Sequence, residues 1–162
     1  MPLLINLRHL EHKDIVIEGE LPSTDLELDN VDELIRAEHP LQYELQAQRL
    51  DHDLLVHGSL KLTLECECAR CLKPFQRQLD FDHWACHLPL EGEEKVNIVS
   101  DCVDLTPHIR EDILLAFPQH PLCESECGGL KNQPKIGAKG SSGANQIDQT
   151  SSAWSELNKL KL

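Results

Sequence analysis

Leu60-Lys61-Leu62-Thr63-Leu64-Glu65-Cys66-Glu67-Cys68, followed at once by Ala69-Arg70-Cys71-Leu72-Lys73-Pro74-Phe75, is the stretch on which the fold turns. Leu60, Leu62, Leu64, Cys66 and Cys68 alternate with Lys61, Thr63, Glu65 and Glu67. This period of two sets one face of a strand inward and the other in water. Cys66 and Cys68 therefore extend the inward face, and Cys71 lies across the next turn. Phe75 to Leu90 reads as the returning strand, with Leu79, Phe81 and Ala85 on one face and Trp84, Cys86 and Leu88 on the other.

Upstream the same period holds. Leu41, Tyr43, Leu45 and Ala47 share a face against Gln42, Glu44, Gln46 and Gln48. Asp51-His52-Asp53 supplies a turn, and Gly58 predicts a break or bulge in the strand that returns. Shorter extended pieces are expected at Leu4–Leu7, Ile15–Leu21 and Val96–Val99. Asp32–Glu38 reads equally as a short helix or an edge strand. Downstream, Thr106 is placed as an N-cap with Pro107 in the first turn. Ile109, Ile113, Leu114 and Phe117 form one apolar stripe, and Arg110, Glu111 and Asp112 face out. The expectation is an α+β chain: an antiparallel β-rich body (a twisted sheet or partly open barrel), one main helix near 106–117 packed on it, and a flexible C-terminal tail. Its parts are a body at 1–127, a Gly/Ser/Lys linker at 128–152 and a short amphipathic helix at 153–162.

Charge narrows the partners. The 162 residues carry a net −13, unevenly: residues 1–127 hold 10 Lys/Arg against 26 Asp/Glu, whereas 128–162 hold 5 Lys against 2 acids. An acidic body repels nucleic-acid phosphates at long range and favours basic proteins. The sequence has no apolar run long enough for a spanning helix and no leader pattern at Met1–Arg8, so no membrane contact and a cytoplasmic setting are expected.

In such a setting seven cysteines point to metal or free thiols more than to disulfides. Cys68-x2-Cys71 and Cys123-x3-Cys127 are two pairs of chelate spacing, the minimum for a closed tetrahedral zinc site; four free thiols remain the other reading. Cys66, Cys86 and Cys102 read as core thiols. A redox role for Cys68 and Cys71 would want a helix after the pair, and a β-run stands there instead. His83, His87, His108 and His120 could in principle serve a nucleophilic cysteine, but none sits in a recognised motif. No phosphate-cradling loop or paired-carboxylate motif is present, so neither an enzyme nor a small-molecule substrate is expected. Arg70, between two cysteines, could meet a phosphate or carboxylate bidentately, or pair internally with one of the acids.

Three motifs carry a likeness. Cys68-Ala69-Arg70-Cys71-Leu72-Lys73-Pro74-Phe75 is the first. Asp104-Leu105 with Ile109 to Pro118, ending in Pro121-Leu122-Cys123, is the second, and Trp154-Ser155-Glu156-Leu157-Asn158-Lys159-Leu160-Lys161 the third. In combination they resemble the YceD family, linked to accumulation of large-subunit ribosomal RNA. The resemblance implies a non-enzymatic ribosome-biogenesis factor supporting 23S rRNA processing or accumulation. A large-subunit ribosomal protein and/or 23S rRNA would be its partner, reached through Arg70, Lys73, Trp154, Lys159 and Lys161. Structural zinc on Cys68, Cys71, Cys123 and Cys127 is the cofactor compatible with it. The other readings are a thiol/redox module using Cys68 and Cys71, and a purely structural zinc-binding interaction domain.

Overall fold

A computed structural model of the chain describes residues 1–130. In order they form β1 (Leu4–Asn6), a 3-10 turn (Leu7–Leu10), β2 (Ile15–Leu21), β3 (Ile35–Arg36), β4 (Leu41–Leu50), β5 (Asp53–Glu67), β6 (Pro74–Pro89), β7 (Ile98–Val99), β8 (Cys102–Asp104) and α1 (Thr106–Ala116). The strands make two antiparallel sheets. The larger is a curled half-barrel of β2 to β6, and the smaller is ordered β1-β8-β7.

β5 is the spine of the larger sheet. Pairing with β6 runs along its whole length, from Asp53 opposite Pro89 to Glu67 opposite Pro74. Its other edge is shared, with β4 beside Asp53–Lys61 and β3 beside Glu65–Cys66. Between β3 and β4 lies Pro40, which has no N–H to give to a ladder. Within Asp32–Glu38 only Ile35–Arg36 is strand, paired at the edge with β5, and none of the segment is helical. The alternation of β5 is real in three dimensions: Leu54, Val56, Leu60, Leu62, Leu64 and Cys66 are all buried. Each large aliphatic there contributes about 2 kcal/mol of transfer free energy. Ile109 and Ile113 of α1, with Ile5 and Val103 of the small sheet, belong to the same buried cluster.

The two apolar faces expected of β6 are resolved by a bulge. Gly58 pairs with Trp84 and Leu60 with Phe81, so Ser59 on β5 faces both Asp82 and His83 on β6. One extra residue reverses the side-chain frame. Leu79 before the bulge and Trp84 and Leu88 after it are thus buried on one face, with Phe81 and Cys86 half-buried, while Ala85 is exposed.

Two helix assignments are also corrected. Leu105, not Thr106, is the N-cap: its carbonyl accepts the first intrahelical bond, from Ile109 N at 3.0 Å, and its side chain supplies no cap. Asp104 Oδ1 accepts from Thr106 N at 2.9 Å, and Thr106 Oγ1 accepts from Leu3 N, joining the helix start to β1. Asp112 does not face water: its Oδ2 accepts from Trp84 Nε1 at 2.6 Å, fixing α1 to β6. Asp112→Ala strands that indole N–H beside the core. It is expected to cost about 2 kcal/mol, read as a lower urea midpoint with an unchanged slope.

Candidate metal centre

β5 ends one residue short of Cys68, and the residues from Cys68 to Lys73 form a tight loop. Cys68 N donates to Lys73 O at 2.9 Å, and Leu72 N donates to Cys68 O at 2.9 Å. Leu72 closes the loop in the left-handed region, φ 59°. After α1 the chain returns to this loop. Ala69 N donates to Pro121 O at 2.8 Å, stitching the first cysteine loop to the segment that carries the second. Cys127 N donates to Glu124 O at 3.2 Å, and Gly129, at φ 84°, ends the turn.

Four thiols meet between these loops. The Sγ atoms of Cys68, Cys71, Cys123 and Cys127 all lie within 4.8 Å of one another. Across the loops, Cys68 and Cys127 are 3.7 Å apart and Cys71 and Cys123 3.6 Å. Those separations far exceed the roughly 2.05 Å of a disulfide. A tetrahedral zinc with Zn–S near 2.3 Å requires edges of about 3.8 Å, which both cross-loop pairs meet closely. The donor set is four soft sulfurs with no imidazole or carboxylate among the clustered ligands. Cys68 and Cys127 are buried and Cys71 and Cys123 half-buried, so the cluster has a closed and an open side.

The surroundings favour thiolate at one corner. Backbone N–H groups of Cys123, and also of Cys71 and Arg70, hold the Cys68 thiol down to about 6 against the opposing effect of burial. Cys123 is pushed up to about 12, first by burial and then by the neighbouring thiols that share its protons. At Cys127 the Gly129 N–H acts downward, but the Cys71 thiol, burial and the Cys68 thiol outweigh it and raise the group. Four thiols so close cannot all ionise without a countercharge, and they titrate as a set. A dication supplies what the set lacks.

Arg70 is exposed, and its Nη1 donates to the carbonyl of Cys127 at 3.1 Å, so the guanidinium braces the second loop. Its partner is a carbonyl, not the carboxylate of an internal ion pair. Lys73 is exposed beside Cys71 and Cys123 at the open side. Trp154, Lys159 and Lys161, with most of the linker and all of the terminal helix, lie outside the described residues. Cys66 is a core thiol, its pKa raised by burial; Cys86 is half-buried and is pushed up to about 11 for the same reason. Cys102 is half-buried on β8, apart from the cluster. Sequence reasoning did not identify the Pro121 carbonyl and the Gly129 N–H as supports of the cluster. Gly128-Gly129 after Cys127 was the available signal for the latter.

Comparison with known proteins covers the part of the chain that carries these cysteines. The family model described as "Large ribosomal RNA subunit accumulation protein YceD" matches residues 56–161, from within β5 through both cysteine pairs. Uncharacterized proteins of Mycobacterium tuberculosis and Mycobacterium bovis are each 25% identical over 125 residues, 72% of this chain and 60% of theirs. One from Mycobacterium leprae is 24% identical over 99 residues, 56% of this chain and 46% of its own. The chain thus spans about 60% or less of the length of these relatives. No solved structure matches it. With the match covering the spine of the sheet, the helix and the four-thiol cluster, the chain belongs to the YceD family.

Proposed function

We propose that this chain is a non-enzymatic ribosome-biogenesis factor that supports 23S rRNA processing or accumulation by holding a basic large-subunit ribosomal protein. The family match over residues 56–161 carries this reading. Charge selects the protein partner over RNA. With 26 acids against 10 basic residues in 1–127, the body repels phosphate and attracts Lys/Arg-rich surfaces. Such complementarity speeds encounter and makes association salt-sensitive, while local contacts set specificity. Arg70 and Lys73, beside the cysteine loops, are the local contacts assigned to the body. Trp154, Lys159 and Lys161 are those assigned to the terminal segment, beyond a linker at 128–152. The cytoplasm is the compartment that suits this work.

Within that reading, Cys68, Cys71, Cys123 and Cys127 hold a structural zinc ion. Edges of 3.6 and 3.7 Å and an all-sulfur donor set support it. Bound there, zinc would supply cross-linking and no open coordination position, so it serves the fold and not a reaction. The redox alternative draws on the low pKa of Cys68. The complete burial of that sulfur's residue denies a protein disulfide access to it, which is why we set this reading second.

Depletion of the protein is the test. Precursor and mature large-subunit rRNA should shift in ratio while small-subunit rRNA does not, and a basic large-subunit protein should copurify at low salt. Unchanged rRNA profiles together with no ribosomal protein in the purified complex would sink the proposal.

A further inference from the structure

The small sheet has two unlike faces. Ile5 and Val103 point into the core, each 1% exposed. The other face carries Leu4 opposite Asp104 in one row, and Asn6, Cys102 and Val99 in the next. Leu4 is 52% exposed and Val99 62%. Val96, on the loop before β7, and Pro107, in the first turn of α1, wall this face into a groove, with Glu94 and Asp104 at its margin. Large aliphatics exposed singly need no explanation, but here they share one concavity.

We propose that this groove is the docking site for a short, extended, Lys/Arg-bearing segment of the protein partner, with aliphatic side chains on its inward face. The inference rests on the proposed function, in which the partner is a basic protein, and it specifies where that partner sits. Three features select the occupant. The floor of Leu4 and Val99, walled by Val96, rewards aliphatic side chains over purely polar ones. Glu94 and Asp104 favour cationic flanks, and Asp104 is held in place at the margin by the bond its Oδ1 accepts from Thr106 N. The third is β7 itself, which among the described residues pairs only with β8 and leaves its other edge for an extended backbone. An acidic segment or a nucleic-acid strand would meet the like charge of these two carboxylates, with His108 as the basic side chain among the lining residues.

The test uses the full chain and, as probe, the proteins extracted from purified large ribosomal subunits, with the bound species identified by mass spectrometry. Hydrogen exchange of the unsubstituted chain in that complex should show new protection within 94–108 and at Leu4–Asn6. Val99→Lys should weaken binding roughly tenfold. Val16→Lys, the same substitution at a site 66% exposed on β2, should change it less than about twofold. Equal weakening by both variants, or protection confined to other segments, overturns the groove and leaves the proposed function standing. Self-association of the chain that Val99→Lys abolishes would also overturn it, by making a second copy the occupant. If the unsubstituted chain binds no large-subunit protein, the function reading fails and the groove proposal fails with it.

Discussion

Cys68→Ser is expected to take the zinc content from about one per chain to none measurable and to release the second cysteine loop from the sheet. Cys68 is the corner most committed to thiolate: its residue is wholly buried, and three backbone N–H groups act on its sulfur. A serine hydroxyl there keeps the hydrogen bonds but does not ionise near neutral pH, so the soft four-sulfur set is lost. The consequence is local. Ala69 N, which donates to Pro121 O, and Leu72 N, which donates to Cys68 O, should exchange as in an open loop. Amides of the β4–β5 ladder should keep their protection, since the buried face of β5 does not depend on the metal. Chelation of the unsubstituted chain should reproduce the pattern, and Cys102→Ser, outside the cluster, should not. If the native chain carries no metal and these amides are equally protected in both proteins, the cluster is four hydrogen-bonded thiols and the zinc assignment falls. A measurable disulfide-reducing activity, lost in Cys71→Ser while the loop stays protected, would move the redox reading ahead.

The metal-free state has its own pH signature. For Cys68 the folded value, about 6, lies below the ordinary 9.0, so its stabilisation is complete above 9 and is lost as pH falls through 6. Cys123, raised to about 12, works in the opposite sense: its neutral form stabilises below 9, and that contribution is lost as pH rises toward 12. The two contributions are present together near pH 9, where the stripped loops are most secure, and each side of that value loses one of them.

What was legible in the sequence was whatever a single strand or a single loop decides. The period of two identified β4 and β5, because every inward residue there meets the same core. Chelate spacing identified Cys68 with Cys71 and Cys123 with Cys127 as pairs, since each pair lies within one loop. The distance between pairs was not legible. It is set by α1 returning the chain so that Pro121 O reaches Ala69 N, a contact 52 residues apart. β6 misled for a related reason: its apolar positions switch from odd (Leu79, Phe81) to even (Trp84, Cys86, Leu88), which reads as two faces until the frame shift at Asp82-His83 is seen in its pairing with β5. Thr106 and Asp112 carried the right local chemistry for a cap and an outward face. Tertiary partners, Leu3 N and Trp84 Nε1, took their oxygens instead.

Gly58→Ala is the substitution expected to cost most within the sheet, about 3 kcal/mol and on the order of a 10 °C fall in Tm. A Cβ built on Gly58 would stand 2.1 Å from Glu44 O, 2.9 Å from Leu45 Cα and 3.0 Å from Glu44 C. All three are backbone atoms of β4, so no rotamer change can yield the space. Relief requires β4 and β5 to part where Gly58 pairs with Leu45 on one side and Trp84 on the other, next to the bulge where the β5–β6 frame changes. Two other glycines calibrate the effect. At Gly19 the nearest atom to a new Cβ is Tyr43 Oη at 2.9 Å, the far end of a side chain that can swing away, and Gly19→Ala should cost less than about 1 kcal/mol. Gly92 has open space within 4 Å but φ 96°, so Gly92→Ala should cost about 1 kcal/mol through backbone strain alone. The diagnostic is the order, Gly58 well below Gly92 and Gly19 in Tm, measured by thermal unfolding of all three. If Gly58→Ala melted with the other two, the close approach of β4 to β5 would be wrong.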